Sequence, residues 1–180
     1  MERGGRGQQL IGACAVLAAA AALSTAAAAP AERGLLIRIE RPVLGESGLL
    51  RVGGNKGEID RQAAQQLRVL MRDRTTGRSV TPTADLVRLL GALTEAFPGR
   101  TMSIVHGYAD PQNGTRSASH REGRALNLRM SDVECADIER FLAKRPRLLA
   151  RVGCFPNATF FHMDVGRSRG IWVDARVGLE

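Results

Sequence analysis

Two of the chain's three histidines lie in segments whose residue types could do chemistry. His120 is followed by a glycine and a predicted strand, so a residue seven positions on, Asn127, can return beside it. His162 lies in an apolar, β-rich run, where a polar side chain needs a partner. A lone histidine is more often a surface or core residue than a metal ligand. The neighbouring residues, and not the histidine side chains alone, therefore make these two positions candidate metal ligands.

Apolar residues at helical spacing predict the helices that must support these segments. One helix is predicted over residues 58–73. A second starts with Thr81 as N-cap and Pro82 in the first turn, and it ends at residues 98–99. A Ser-x-x-Glu capping box over residues 131–134 opens a third helix that runs to about residue 143.

Short apolar runs bounded by turn residues predict strands, and the first two pair across a turn at residues 45–48. The predicted strands cover residues 35–40, 49–52, 102–105, 125–130, 151–155, 160–165 and 171–173. Helices that precede an interrupted, mainly antiparallel sheet indicate an α+β fold. No repeat or low-complexity linker follows residue 32, so residues 32–180 are predicted to form a single domain.

The first 31 residues have the pattern of a secretory signal peptide. A basic start precedes an uncharged run over residues 10–29, which contains eleven alanines. Residues 29–31 fit an A-x-A cleavage site, and residues 26–28 are a second candidate. The alternative is a retained single-span anchor, because the run is just long enough to cross a bilayer. Either outcome predicts an exported protein of the periplasm or cell envelope, with membrane attachment only through an uncleaved leader.

The net charge and aromatic content limit the class of partner, and the cysteines raise the question of a disulfide. The net charge is +8, and removal of the leader takes away two arginines and one glutamate, which leaves +7. Aromatic residues make up only 4%, so a stacking platform for nucleic acid is excluded and anionic envelope polymers are the expected acidic partners. Cys135 and Cys154 either pair in an oxidising compartment or remain two separate thiols.

Several ordered motifs resemble one family of zinc peptidases. The segment H-x-x-G-x-A-x-N at residues 120–127 and F-x-H-x-D-V-G-R at residues 160–167 are similar to those of the D-Ala-D-Ala carboxypeptidase superfamily, whose zinc fold is shared with the hedgehog signalling domain. The nearest branch is that of the YcbK/MepK-like murein endopeptidases. Further matches lie at residues 71–77, 86–90, 107–108, 152–153, and at Arg169 before Trp172.

The resemblance implies a hedgehog/DD-peptidase-like fold and a zinc ion held by His, Asp and His, with water in the open position. Transferred to this chain, the ligands are His120, Asn127 and His162, so an amide stands where the family has a carboxylate. A neutral amide oxygen is a poorer donor, so weak or absent zinc binding is expected. The implied substrates are peptidoglycan stem peptides.

Other positions also depart from the family pattern. Ala109 replaces the arginine that the resemblance assigns to the substrate carboxylate or the scissile carbonyl; Arg116 or Arg124 could substitute for it. Cys154 replaces a tyrosine. Asp164 is the candidate catalytic carboxylate, which either orients His162 or acts on the water, and otherwise pairs with a nearby arginine such as Arg167 or Arg169.

Glu122 is a second candidate base, and the alternative for it is an exposed loop carboxylate. Two functions from different classes therefore follow from the sequence. The first is a zinc-dependent hydrolase, a metallopeptidase that acts on cell-wall peptides. The second is a pseudoenzyme, a non-catalytic module that binds peptidoglycan or a protein on the same fold. A basic surface that only contacts anionic polymer or lipid is a third reading.

Overall fold

The described part of the chain begins with a hairpin, and buried residues alternate along its first strand. The computed structural model describes residues 34–53, 58–59, 61–113 and 117–175. Strands β1 (Leu35–Arg41) and β2 (Glu46–Gly53) pair antiparallel, with Ile37 opposite Leu50. A 3-10 turn over Pro42–Leu44 joins them, and Gly45 closes the turn with a φ of 65°. The hairpin is as predicted, but the turn comes earlier because residues 46–48 already belong to β2.

The remaining strands extend this hairpin into one mixed sheet. Its order is β3-β2-β1-β4-β5-β7-β6-β8. Among the described residues, β1 with β4 and β6 with β8 are the parallel pairs, and the other neighbours are antiparallel. The α+β class is confirmed. The bounds are β3 Glu58–Ile59, β4 Met102–His106, β5 Ala125–Met130, β6 Ala150–Cys154, β7 Phe161–Val165 and β8 Gly170–Val173.

The helices are α1 (Arg61–Leu70), α2 (Ala84–Ala96), α3 (Ala118–Arg121) and α4 (Cys135–Ala143). The predicted start of the first helix at residue 58 is wrong, because Glu58–Ile59 pair with the end of β2 and the helix begins only afterwards.

Two predicted helix caps are also wrong. The N-cap of α2 is Thr83, whose hydroxyl accepts the Leu86 N–H at 3.3 Å, so Thr81 lies outside the helix. The capping interaction of α4 joins Asp137 to the backbone N–H of Glu134 at 2.9 Å. Ser131 instead belongs to the turn after β5, where Asp132 takes a φ of 55°.

One face of the sheet packs against the helices, and the other carries polar side chains. On β5, Leu126, Leu128 and Met130 are buried in the core, which places Asn127 and Arg129 on the opposite face because side chains alternate along a strand. The face that bears Asn127 is called the open face below. Core residues of α1 and α2 include Leu67, Leu70, Leu86, Leu89, Leu90 and Leu93.

Cys135 and Cys154 form a disulfide, with their Cα atoms 5.9 Å apart. The bond ties the first residue of α4 to the last residue of β6, which decides between the two states that the sequence left open. Residues Glu32–Glu180 form one compact unit. None of the helices in the described part of the chain is long and apolar enough to cross a membrane. The predicted leader, residues 1–31, lies outside the described residues.

Candidate metal centre

Strand register brings the candidate residues into one row across the open face. His106 of β4 lies opposite Asn127 of β5, and Asn127 lies opposite His162 of β7. The row continues through Gly153 of β6 to Trp172 of β8. Residues far apart in the sequence thus become neighbours, because cross-strand partners lie within about 5 Å of each other.

His120 joins this row from the short helix α3, and three donor atoms then converge. The His120 Nε2 atom lies 3.2 Å from the His162 Nδ1 atom. The same Nδ1 atom lies 2.9 Å from Asn127 Oδ1. All three residues that the sequence proposed as metal ligands therefore meet at one point, on side chains that are buried or half-buried.

The other nitrogen of each ring is held by a hydrogen-bond acceptor. His120 Nδ1 donates to the Gly107 carbonyl oxygen at 2.5 Å, and His162 Nε2 donates to Asp164 Oδ2 at 3.2 Å. These bonds leave unshared electron pairs on His120 Nε2 and His162 Nδ1, which face each other. Two facing electron pairs repel unless a proton or a cation lies between them. Outer bonds of this kind are typical of histidines that ligate metals.

The donor atoms fit zinc in spacing but not in charge. Two nitrogens that each lie about 2.0 Å from a tetrahedral zinc ion are about 3.3 Å apart, close to the observed separation. Two neutral imidazoles and one neutral amide offer the ion no negative charge. Among the described residues, no cluster of three or more His, Cys, Asp or Glu side chains could hold a metal. The site therefore fits a zinc ion bound less tightly than a carboxylate-containing set would bind it.

Burial keeps His120 in the form that can ligate. It lowers the pKa of His120 to about 4, against a hydrogen bond to Gly107 that acts in the opposite direction. His120 is only 4% exposed. At neutral pH the ring is therefore uncharged, and Nε2 is available as a donor.

Asp164 orients His162 from two positions further along β7, on the same face of the sheet. It is buried, and Arg151 holds both of its oxygens, through Nε at 3.0 Å and Nη2 at 2.8 Å. Burial raises the pKa of Asp164, but the hydrogen bonds from His162 and Arg151 outweigh it and keep the pKa below its usual value. The arginine that pairs with it is therefore Arg151, whereas Arg169 donates to the Leu142 carbonyl oxygen.

Gly107 is fixed in place by a close approach to the segment that follows α1. A Cβ atom at Gly107 would lie 2.3 Å from the Met71 carbonyl oxygen, so no other residue fits there without movement. The next residue, Tyr108, donates its N–H to the same Met71 oxygen at 2.6 Å. The Gly107 carbonyl is thereby positioned to accept from His120.

Trp172 closes the other end of the row. Its ring lies over Gly153, where a Cβ atom would approach Trp172 Cζ2 to 2.5 Å, and its centroid is 5.5 Å from that of His162. His106, which sequence reasoning gave no role, lies edge-on to His120 at a centroid distance of 5.0 Å. Its position at the end of a predicted strand was the one available signal. Burial lowers the pKa of His106, and the charge of Arg41 acts in the same direction.

The remaining residues that the sequence singled out concern the expected substrate-binding arginine and the second candidate base. Ala109 is fully buried, so an arginine there would have to displace its neighbours. Arg124 donates to Glu122 at 2.7 Å and to the Val165 carbonyl oxygen at 2.8 Å, and Glu122 is the exposed loop carboxylate of this ion pair. Arg116 lies outside the described residues.

No model of a known protein family matches the chain, and comparisons with curated proteins and with solved structures found no match either.

Proposed function

We propose that the chain is a cell-envelope protein of the zinc-peptidase type, with a hedgehog/DD-peptidase-like fold, which binds peptidoglycan stem peptides and hydrolyses them slowly. The observation that carries the proposal is the convergence of His120 Nε2, Asn127 Oδ1 and His162 Nδ1, with each ring held from behind. The unshared electron pairs of His120 Nε2 and His162 Nδ1 face each other on the open face of the sheet. Such an arrangement favours a cation between them.

Some residues of the site would bind the metal, and others orient the two histidine rings. His120, Asn127 and His162 would hold zinc, which when bound polarises a peptide carbonyl and lowers the pKa of a water molecule. Asp164 and the Gly107 carbonyl fix the two rings. The neutral amide of Asn127 lowers metal affinity, which is the reason for a slow reaction. The predicted leader and the motif resemblance support an envelope location and a cell-wall peptide as substrate.

The test is zinc binding by the full chain, followed by digestion of purified peptidoglycan with chromatography of the released peptides. We expect binding at micromolar zinc and slow, zinc-dependent release that His120→Ala abolishes. Absence of zinc binding at that concentration would overturn the proposal. Asn157→Ala, an exposed asparagine away from the row, is the matched control and should leave both measurements unchanged.

A second function, a non-catalytic peptide-binding module, is favoured by two observations. The donor set holds no carboxylate, and the position where the family resemblance expects an arginine holds the buried Ala109. In that case the chain binds the same stem peptides without cleaving them. Peptide binding that persists in His120→Ala, together with no released product from the unmodified chain, would establish this function over the first.

A further inference from the structure

Four side chains of the first hairpin form a surface patch that the proposed function does not use. They are Leu36 and Arg38 of β1 and Leu49 and Arg51 of β2, and they are called the hairpin patch below. Leu36 lies directly opposite Arg51. Arg38 lies directly opposite Leu49, so the four side chains share one face of the hairpin. Ile37, between them in sequence, is buried in the core, which places the patch on the open face.

The two leucines of the patch are exposed. Leu36 is 48% exposed and Leu49 is 56% exposed. A single exposed leucine is ordinary on a protein surface. Here the two lie on adjacent strands, and each has an arginine opposite it with a Cβ atom at about 5 Å. The hairpin patch is therefore apolar and cationic within the same small area.

The two arginines carry charges that no described carboxylate neutralises. Both side chains are exposed, and neither forms an ion pair with a carboxylate that the structure describes. Glu40, the next residue of β1 on this face, accepts a hydrogen bond from Ser103. An anionic surface would therefore meet two uncompensated guanidinium groups.

The patch also lies beside the start of the domain. A Cβ atom at Gly34 would lie 2.9 Å from Arg51 Cγ, so the Arg51 side chain extends across Gly34. Gly34 is the third residue after the predicted leader, residues 1–31. Three residues span at most about 10 Å. A leader held in a bilayer, during export or afterwards, would therefore keep Gly34 and the adjoining patch close to the lipid surface.

We propose that the hairpin patch binds the surface of an anionic lipid bilayer, with both leucine side chains in the headgroup region and both guanidinium groups on lipid phosphates. Binding to such a surface depends on buried apolar area and on attraction to anionic lipids, and the patch offers both. The arginine stems can lie along apolar surface while their charged ends stay among the headgroups. An anionic polymer would use the charges but not the leucines. The contact needs neither zinc nor peptide cleavage, so it goes beyond the proposed function.

The experiment places a tryptophan in the patch and measures its quenching by lipid. Leu49→Trp, in the full chain, is mixed with vesicles whose acyl chains are brominated close to the headgroup. The vesicles contain either phosphatidylcholine alone or phosphatidylcholine with phosphatidylglycerol. We expect clearly stronger quenching in the anionic vesicles, because the patch needs both attractions. A retained leader would bind both kinds of vesicle, so the difference between them reports on the patch.

Leu149→Trp is the matched control. Leu149 is 47% exposed and precedes β6, five strands away from β2 in the sheet. Its tryptophan should be quenched equally weakly in both kinds of vesicle. Trp172 is present in both variants and contributes the same background.

A second pair of variants tests the charges. Arg38→Gln with Arg51→Gln, in the Leu49→Trp chain, should lower the affinity of the patch for anionic vesicles about twentyfold, about fivefold for each arginine, and the quenching should fall with it. Arg140→Gln with Arg147→Gln removes the same net charge on and after α4, and should leave the quenching unchanged.

Three results would overturn the proposal. The first is equal quenching of Leu49→Trp and Leu149→Trp in anionic vesicles. The second is binding to anionic vesicles without quenching at position 49, which would mark attraction by charge alone, as for an anionic polymer. The third is a dimer of the unmodified chain, measured by light scattering, that Leu36→Ser separates into monomers, because a second copy of the chain would then cover the patch.

Discussion

Asn127 contributes an amide oxygen at a point where a carboxylate would bring a full negative charge. Its Oδ1 atom lies 2.9 Å from His162 Nδ1, and the residue sits at the centre of the cross-strand row. Replacement of one atom, nitrogen by oxygen, would therefore change the charge of the donor set without changing its shape. In the proposed zinc site, Asn127 is therefore the residue on which metal affinity would depend most directly.

We expect Asn127→Asp to raise zinc affinity about tenfold or more, equivalent to about 1.4 kcal/mol, because an added anionic donor attracts the ion. Competition with a chromophoric chelator measures the change. Asn157→Asp adds the same charge outside the row and should have no effect. Unchanged affinity in Asn127→Asp would mean that Oδ1 is not directed at the metal.

Gly153 allows Trp172 to lie against His162, and the chain has no other tryptophan. We expect Gly153→Ala to push the indole into water and to shift its fluorescence to longer wavelength, because the added Cβ atom would lie 2.5 Å from the ring. Gly170→Ala is the matched control, since nothing lies within 4 Å of a Cβ atom there. An unshifted spectrum in Gly153→Ala would contradict the packing described.

At the scale of elements, the loop after α1 holds both the segment that follows β4 and the buried side chain of Arg41. Its Met71 carbonyl receives the Tyr108 N–H, and the Arg72 carbonyl receives Arg41. The Arg72 side chain pairs with Glu46 of β2 through two bonds of 2.6 and 2.7 Å. A bidentate pair of this kind fixes the loop to the sheet as a unit.

Glu46→Gln is expected to lower the free energy of unfolding by about 0.5 kcal/mol at neutral pH, a small value because water screens the partly exposed pair. The hydrogen bond to Arg72 lowers the pKa of Glu46 in the folded state. Its contribution is therefore present above the unfolded-state pKa and is lost as the pH falls through the folded-state pKa.

Urea unfolding from pH 7 downward measures this difference. The gap between Glu46→Gln and the unmodified chain should close as the solution becomes acidic. Asp85→Asn removes an exposed pair within α2 and serves as the control, with a smaller effect. A gap that persists at low pH would show that Glu46 acts through something other than its charge.

At the scale of the whole molecule, the disulfide is the one covalent cross-link between a helix and the sheet in the described residues. It joins residues 19 apart in sequence, at the start of α4 and the end of β6. The bond keeps one loop of the unfolded chain closed, and this reduces the conformational entropy that the chain gains on unfolding.

Replacement of both cysteines, as Cys135→Ala with Cys154→Ala, should lower the free energy of unfolding by about 3 kcal/mol. Urea unfolding of the variant, with and without a reducing agent, measures the loss. The unmodified chain in reducing agent should match the variant, and the variant itself should not respond to the reducing agent. An unmodified chain that is insensitive to reduction would contradict a stabilising bond.

The sequence by itself determined the positions of the local secondary-structure elements and the candidate functional residues. Alternation of apolar residues located β5 at residues 125–130, because period-two burial is a local signal. The resemblance of two motifs to a family of zinc peptidases implied His120, Asn127 and His162 as a set. The predicted starts of the helices were less accurate, since the N-caps are Thr83 and Glu134. Several nearby polar residues can cap a helix, and packing selects among them.

Tertiary structure alone decided how these residues are used. The convergence of the donor atoms and the edge-on contact of His106 depend on register between strands far apart in sequence. The pairing of Asp164 with Arg151 in place of Arg169, and the burial of Arg41 with an unmet donor, depend on which side chains share a face. The physical reason is that register, burial and charge pairing are properties of several segments packed together, which no single segment encodes.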